Sequence, residues 1–156
     1  MKNLKKISTT ILAVIFMAVY CLPIAPAAKA ATDAVLSFNQ SSVSVETGDT
    51  VTLVAVVDPG TNEVGAVELD VTFNPSVLRL DSITANSDDF PITLADATID
   101  NVGTGDTDGN GSIDVGSLTE VFTTDTNVAT FVFTALAAAT DSPVAFAATS
   151  DASAHG

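Results

Sequence analysis

From residue 34 onward, apolar side chains recur at every second position in short runs separated by Gly, Asp, Asn, Thr and Ser. A period of two belongs to strands that bury one face, and no stretch keeps a helical period for three turns. Val43 and Val45 alternate with serines, which predicts a first strand there. In the next run Val51, Leu53, Ala55 and Val57 share one face and Thr52, Val54 and Val56 the other, and DPG at 58–60 closes it with turn chemistry. The clearest strand is 66–73. Val67, Leu69, Val71 and Phe73 point one way and Ala66, Glu68, Asp70 and Thr72 the other, so one face is core and the other meets solvent or a partner. NPS at 74–76 turns the chain into a strand at 77–80, with Pro75 where no ladder donor is needed. Residues 83–111 read as loop with a short strand at 91–94, and strand character returns at 112–115, 129–136 and 144–147. About eight strands at this spacing, with no internal repeat and no linker, predict an all-β sandwich. Its core is expected to draw on Val67, Leu69, Val71, Phe73, Leu78, Leu80, Phe131, Phe133 and Phe146.

The first thirty residues follow another pattern. Lys2, Lys5 and Lys6 make a basic start, residues 11–22 an apolar run, and AKA at 28–30 a cleavage site, the layout of a secretory signal peptide. The run is too short to span a membrane, and Tyr20 before Cys21 fits a lipoprotein cleavage box poorly. The expected product is a secreted single domain, residues 31–156, with a signal peptide at 1–30 and no membrane insertion.

Removing that segment changes the chemistry available. It holds four of the five basic residues, so Arg79 is left against 19 acids and the formal charge becomes −18 in place of −14. Nucleic acid and anionic membrane are excluded as natural partners. Cys21 and Tyr20 leave with it and the chain has no Trp, so thiol catalysis, disulfides and cysteine zinc sites are excluded too. The single histidine, His155, lies one residue from the end, a poor base for a catalytic triad or a histidine metal site.

Two stretches go beyond fold class: GAVELDVTFNPSVLRLDSI at 65–83 and NVATFVFTALAAATDSPVAFAATSDASAHG at 127–156. Together they resemble the cohesin family, in which a strand of similar form leads through a D/N-P-x-V-L turn into the core and a late alternating strand precedes an acidic, small-residue turn. The resemblance implies a nine-stranded jelly-roll sandwich that binds a dockerin module of polysaccharide-degrading complexes. It places the partner face on the solvent side of the 66–73 strand, at Ala66, Glu68, Asp70 and Thr72, with Glu68 in the place of an acid that receives the dockerin helix. Ala66 departs from the polar residue usual beside it, and Glu68 and Asp70 also read as a plain solvated face. Cohesins also continue into a final strand near the first, whereas this chain stops at Gly156, which implies a truncated product or an edge capped otherwise.

DTDGNGSID at 106–114 sets oxygen side chains at positions 1, 3, 5 and 9, glycine at 6 and an aliphatic at 8, like the first nine residues of an EF-type calcium loop. Asp106, Asp108, Asn110, the Ser112 carbonyl and Asp114 are the candidate calcium ligands. Position 12, where a bidentate glutamate belongs, is Ser117, so any site would be weak. The same residues read equally as a polar hairpin turn, since Asn-Gly is itself a turn signal.

The expected function is a non-catalytic, secreted interaction module, with calcium as a candidate ligand and polysaccharide as a further candidate partner. The alternative is a carbohydrate-binding sandwich, which usually stacks sugar rings on Trp or Tyr; residues 31–156 contain neither. A glycosidase needs only two carboxylates, and among 19 acids some pair at a suitable distance is inevitable, so the count carries no weight.

Overall fold

In the computed structural model, residues 34–103, 108–139 and 141–154 are described. The segment read as a signal peptide, and Asp106, lie outside them. Alternation at 50–58 becomes strand β2 (Thr50–Asp58), with every second side chain from Val51 to Val57 buried. β3 (Ala66–Phe73) buries Val67, Leu69, Val71 and Phe73, and β7 (Thr126–Ala135) buries Val128, Phe131 and Phe133. The other strands are β1 (Val35–Phe38), β4 (Leu78–Ala85), β5 (Ile92–Asp100), β6 (Gly109–Gly116), β8 (Ala145–Phe146) and β9 (Asp151–Ser153).

These nine strands form two antiparallel sheets, ordered β1-β2-β7-β4 and β5-β6-β3-β8, with β9 also paired to β3. The apolar faces of the sheets meet in one core, where Phe73 of one sheet meets Phe133 of the other edge to face, ring centres 5.3 Å apart. All the expected core residues are buried except Phe146, which is half-buried and stacks on Phe38 at 4.4 Å. The all-β sandwich is therefore as expected.

Three details differ from the sequence reading. Residues 42–49 form no strand, and Val43 and Val45 are 48% and 37% exposed. The edge of β2 is taken instead by β1, and Asn39 ends that pairing: its amide donates to the Val54 carbonyl and its side-chain oxygen accepts from the Val54 amide, both at 2.9 Å. Within 83–111, read as loop with a short strand at 91–94, β4 continues to Ala85 and the short strand lengthens into the nine residues of β5. β5 buries neither face fully, so alternation could not reveal it; its ladder with β6, interrupted by two bulges, holds it in place. The last expected strand shrinks to β8, and a further strand, β9, follows it, lying in a ladder with β3 and not with β1.

Candidate partner-binding face

β3 runs through the middle of its sheet, so its solvent side is a platform whose neighbours are set by register. Residues directly opposite across a ladder share a face. Glu68 stands opposite Asp114 of β6 on one side and Asp151 of β9 on the other, making a row of three carboxylates across three strands. Leu94 of β5, 59% exposed, lies over Gly116, where the missing side chain leaves it room. Glu68, Asp114, Asp151 and Leu94 line a shallow depression of about 160 Å³. The carboxylates form a row and not a cage: among the described residues no three His, Cys, Asp or Glu are grouped to hold a metal ion.

The four residues expected on this face do not behave alike. Ala66 is half-buried, and Glu68 is exposed and fit for contact. Asp70 is taken up by the fold. Its carboxylate accepts from the Asn110 amide and, at 2.6 Å, from the Thr149 hydroxyl. The Ser150 hydroxyl accepts from the Asp70 amide at 2.9 Å and donates to the Asp70 carbonyl at 2.8 Å. Asp70 thereby ties the turn between β8 and β9 onto β3. Thr72 leans the same way, its hydroxyl 3.4 Å from the Ala145 carbonyl.

Positive charge lies elsewhere. Arg79 projects from β4, on the other sheet, and its Nε donates to Asp81 at 2.6 Å while the Thr134 hydroxyl donates to the other carboxylate oxygen at 2.5 Å. The Thr134 bond first, and the guanidinium second, hold the Asp81 carboxyl below its ordinary range. Among the described residues, the face around Glu68 therefore contains acids and no cation.

Of the candidate calcium ligands, Asp106 lies outside the described residues and Asp108 is exposed just before β6. Asn110, Ser112 and Asp114 sit at alternate positions of β6. Residues two apart along a strand are separated by roughly 6.5 Å, so these side chains run in a line where an ion-binding loop curls them round a point. Asn110 is committed to Asp70, and Ser112 to Thr98 at 2.7 Å. Ser117 is 3% exposed, its hydroxyl accepting from the Glu120 amide at 3.1 Å. The two glycines of the motif have a packing role. A Cβ on Gly109 would lie 2.7 Å from the Phe73 ring, and one on Gly111 2.3 Å from Leu80 Cδ2.

The cohesin domain family model matches residues 36–154. The chain belongs to the cohesin family. Among solved structures, this cohesin is similar to CaCohA2 from Clostridium acetobutylicum, with 21% identity, 80% of this chain and 81% of that chain covered, and a TM-score of 0.59. It is also similar to the sixth cohesin of scaffoldin B from Acetivibrio cellulolyticus, solved in complex with a mutant Cel5 dockerin, with 19% identity, 76% and 84% covered, and a TM-score of 0.54. At these identities the likeness concerns the fold. No curated protein matches the chain. Sequence reasoning missed Leu94 and Asp151 as members of the cohesin's outer face and placed Asp114 only in the calcium turn. Nothing in the linear pattern brings residues 68, 94, 114 and 151 together; strand register does.

Proposed function

We propose that this cohesin is a secreted, non-catalytic module that binds a dockerin-type partner through the outer face of the β5-β6-β3-β9 sheet. One observation carries the reading: an accessible sheet face on which the Asp151–Glu68–Asp114 row and the exposed Leu94 stand side by side with no neutralising cation among the described residues. Such a face suits a partner that offers a basic side chain beside an apolar one, since a charge-assisted bond is about twice as strong as a neutral one. Export through the 1–30 segment belongs to the same proposal. So does weak calcium binding at the turn that begins at Asp106, drawing on Asp106 and Asp108 with the start of β6. Carbohydrate stacking has less support, because none of the residues facing out around Glu68 is aromatic.

The test is capture of a dockerin-bearing protein from the producing organism's secretome, followed by calorimetric titration. Glu68→Ala should weaken the complex by roughly 1–3 kcal/mol, about 5- to 150-fold in Kd. An unchanged Kd removes this face from consideration.

A further inference from the structure

The outer face of the β5-β6-β3-β9 sheet divides into two halves according to what its side chains are already bonded to. At the ladder positions level with Asp70 and Thr72, every polar side chain has a partner. Asp70 is held by Asn110 and Thr149, and the Ser112 hydroxyl meets that of Thr98 at 2.7 Å. The Thr72 hydroxyl reaches the Ala145 carbonyl, and Asp100 accepts from the Val102 amide at 2.7 Å. At the other end of β3 the situation is reversed. Among the described residues, the carboxylates of Glu68, Asp114 and Asp151 accept no hydrogen bond.

The half with unbonded groups is a band that crosses the strands. Along β3 it covers only the levels of Ala66 and Glu68, about 6.5 Å apart, while across the sheet it spans β9, β3, β6 and β5, about 14 Å at ~4.8 Å per strand. Its floor is small, since Ala66 stands opposite Gly116 on one side and Ser153 on the other, and Leu94 rises at the β5 end. A partner element laid along β3 would leave this band after one step and run onto groups whose hydrogen bonds it could only exchange for its own, with little net gain. An element laid across the strands meets an unbonded carboxylate on three successive strands and an exposed leucine on the fourth. Successive turns of a helix rise 5.4 Å, close to the strand spacing, and seven residues cover about 10.5 Å, close to the ~10 Å from β9 to β6.

We propose that the docking element received here is a basic amphipathic helix lying across the strands, with cationic side chains at i, i+4 and i+7 on Asp151, Glu68 and Asp114 and an apolar one at i+11 against Leu94. This deepens the docking reading and rests on it. Leu94 is then the apolar anchor of the footprint, and the footprint ends before Asp70 and Thr72. Gly116 keeps the band low beside Leu94, because a Cβ there would lie 3.2 Å from Leu94 Cδ1 and lift the leucine off the sheet. The long stems of lysine or arginine can lie over the Ala66–Gly116 floor while their charged heads reach the carboxylates.

The probe is a synthetic alanine-based helical peptide of about 18 residues with Lys at i, i+4 and i+7, Leu at i+11 and a nitroxide at one end or the other, titrated into the isotope-labelled chain at about 0.15 M NaCl and followed by amide NMR. A permuted peptide of equal charge, its lysines spread around the helix, controls for the pull of an acidic protein on any cation. The patterned peptide should bind with a Kd at least about fivefold lower than the permuted one. A nitroxide at the leucine end should broaden the amides of β5 around Leu94, and one at the lysine end those of β9, both sparing Thr72 and Asn110. Leu94→Ala should raise the Kd at least about threefold, while Thr72→Ala and Thr98→Ala stay within about twofold. Broadening at Thr72 and Asn110 would set the helix along the strands and overturn the proposal, as would equal binding of the permuted peptide or none of either. Glu68→Ala separates the two levels. A Kd unmoved by it removes the docking face altogether, whereas a Kd raised by it but unmoved by Leu94→Ala, or raised as much by Thr72→Ala, overturns only the crossing helix.

Discussion

Gly111 offers a sharp test of what β6 is for. Its φ is not among the positive ones, which belong to Gly48, Gly60 and Gly103, so the backbone there is extended and any residue could adopt it. Space is the constraint. An alanine Cβ would meet Leu80 Cδ2 at 2.3 Å and Ile83 Cδ1 at 3.2 Å, against the 3.5–4.0 Å that carbon atoms prefer. Leu80 is 1% exposed and sits in the core cluster, so relieving the contact means moving its core neighbours. Overpacking of this kind costs about 1–3 kcal/mol, partly offset by the ~0.5–1 kcal/mol that Gly→Ala returns in a strand. The net loss for Gly111→Ala is about 1–2 kcal/mol, a fall in Tm of roughly 3–10 °C for a domain of this size. Circular dichroism melts in a chelator measure it without any metal contribution. In a Leu80→Ala background the 2.3 Å contact disappears and only the 3.2 Å approach to Ile83 remains, so the same substitution should cost little or stabilise, giving a coupling of about 1–3 kcal/mol. If Gly111→Ala melts with the wild type in chelator and loses only a calcium-induced shift, the glycine serves an ion-binding bend and the packing argument is wrong.

Asp70→Ala should cost about 1–3 kcal/mol, because Asn110 and Thr149 lose their acceptor, and amide exchange should accelerate at Ala147 and Ser150 before the core is affected; unchanged protection there would show that the turn is held by its backbone alone. Asp81 titrates lower in the folded chain than unfolded, so its contribution is fully present above its unfolded pKa near 4 and is lost as pH falls through the lower folded value. Asp81→Asn should therefore flatten the acid limb of the stability curve, and an identical limb would refute the assignment. Calcium at ~10 mM should raise Tm by a few degrees more than equal magnesium if the Asp106 turn binds it with Kd near 10⁻⁴–10⁻³ M; equal shifts, or an Asp106→Ala variant that keeps the excess, reduce the motif to a turn.

β2, β3 and β7 were legible because each buries one face against the other sheet, which writes the period of two into the sequence. Of β5 only the start, within the short strand read at 91–94, was legible, since both its faces meet solvent and the Ala, Asp and Thr that follow carry no alternation. Val43 and Val45 show the converse: alternation was present, but Asn39 had already turned the chain off β2. At the docking face, Glu68 could be placed from β3 alone, while Asp151 and Leu94 arrive by pairings that no local pattern encodes. The DTDGNGSID run keeps two readings for a physical reason. Its glycines satisfy an ion-loop template and also fit under Phe73 and Leu80, and spacing cannot tell those two demands apart.

The arrangement of β8 and β9 on β3 also has a mechanical side. β9 holds β3 through three residue pairs and β8 through two, both antiparallel at one edge. A pull on the chain beyond Ser153 away from the sheet would load those hydrogen bonds one after another, as a zipper, and not together in shear. The Asp70 contacts with Thr149 and Ser150 sit between the two short strands and act as a rivet where that unzipping must pause. Tension applied at this end would strip β9 first, taking Asp151 from beside Glu68, so force would dismantle the docking row while the Phe73–Phe133 core stayed closed.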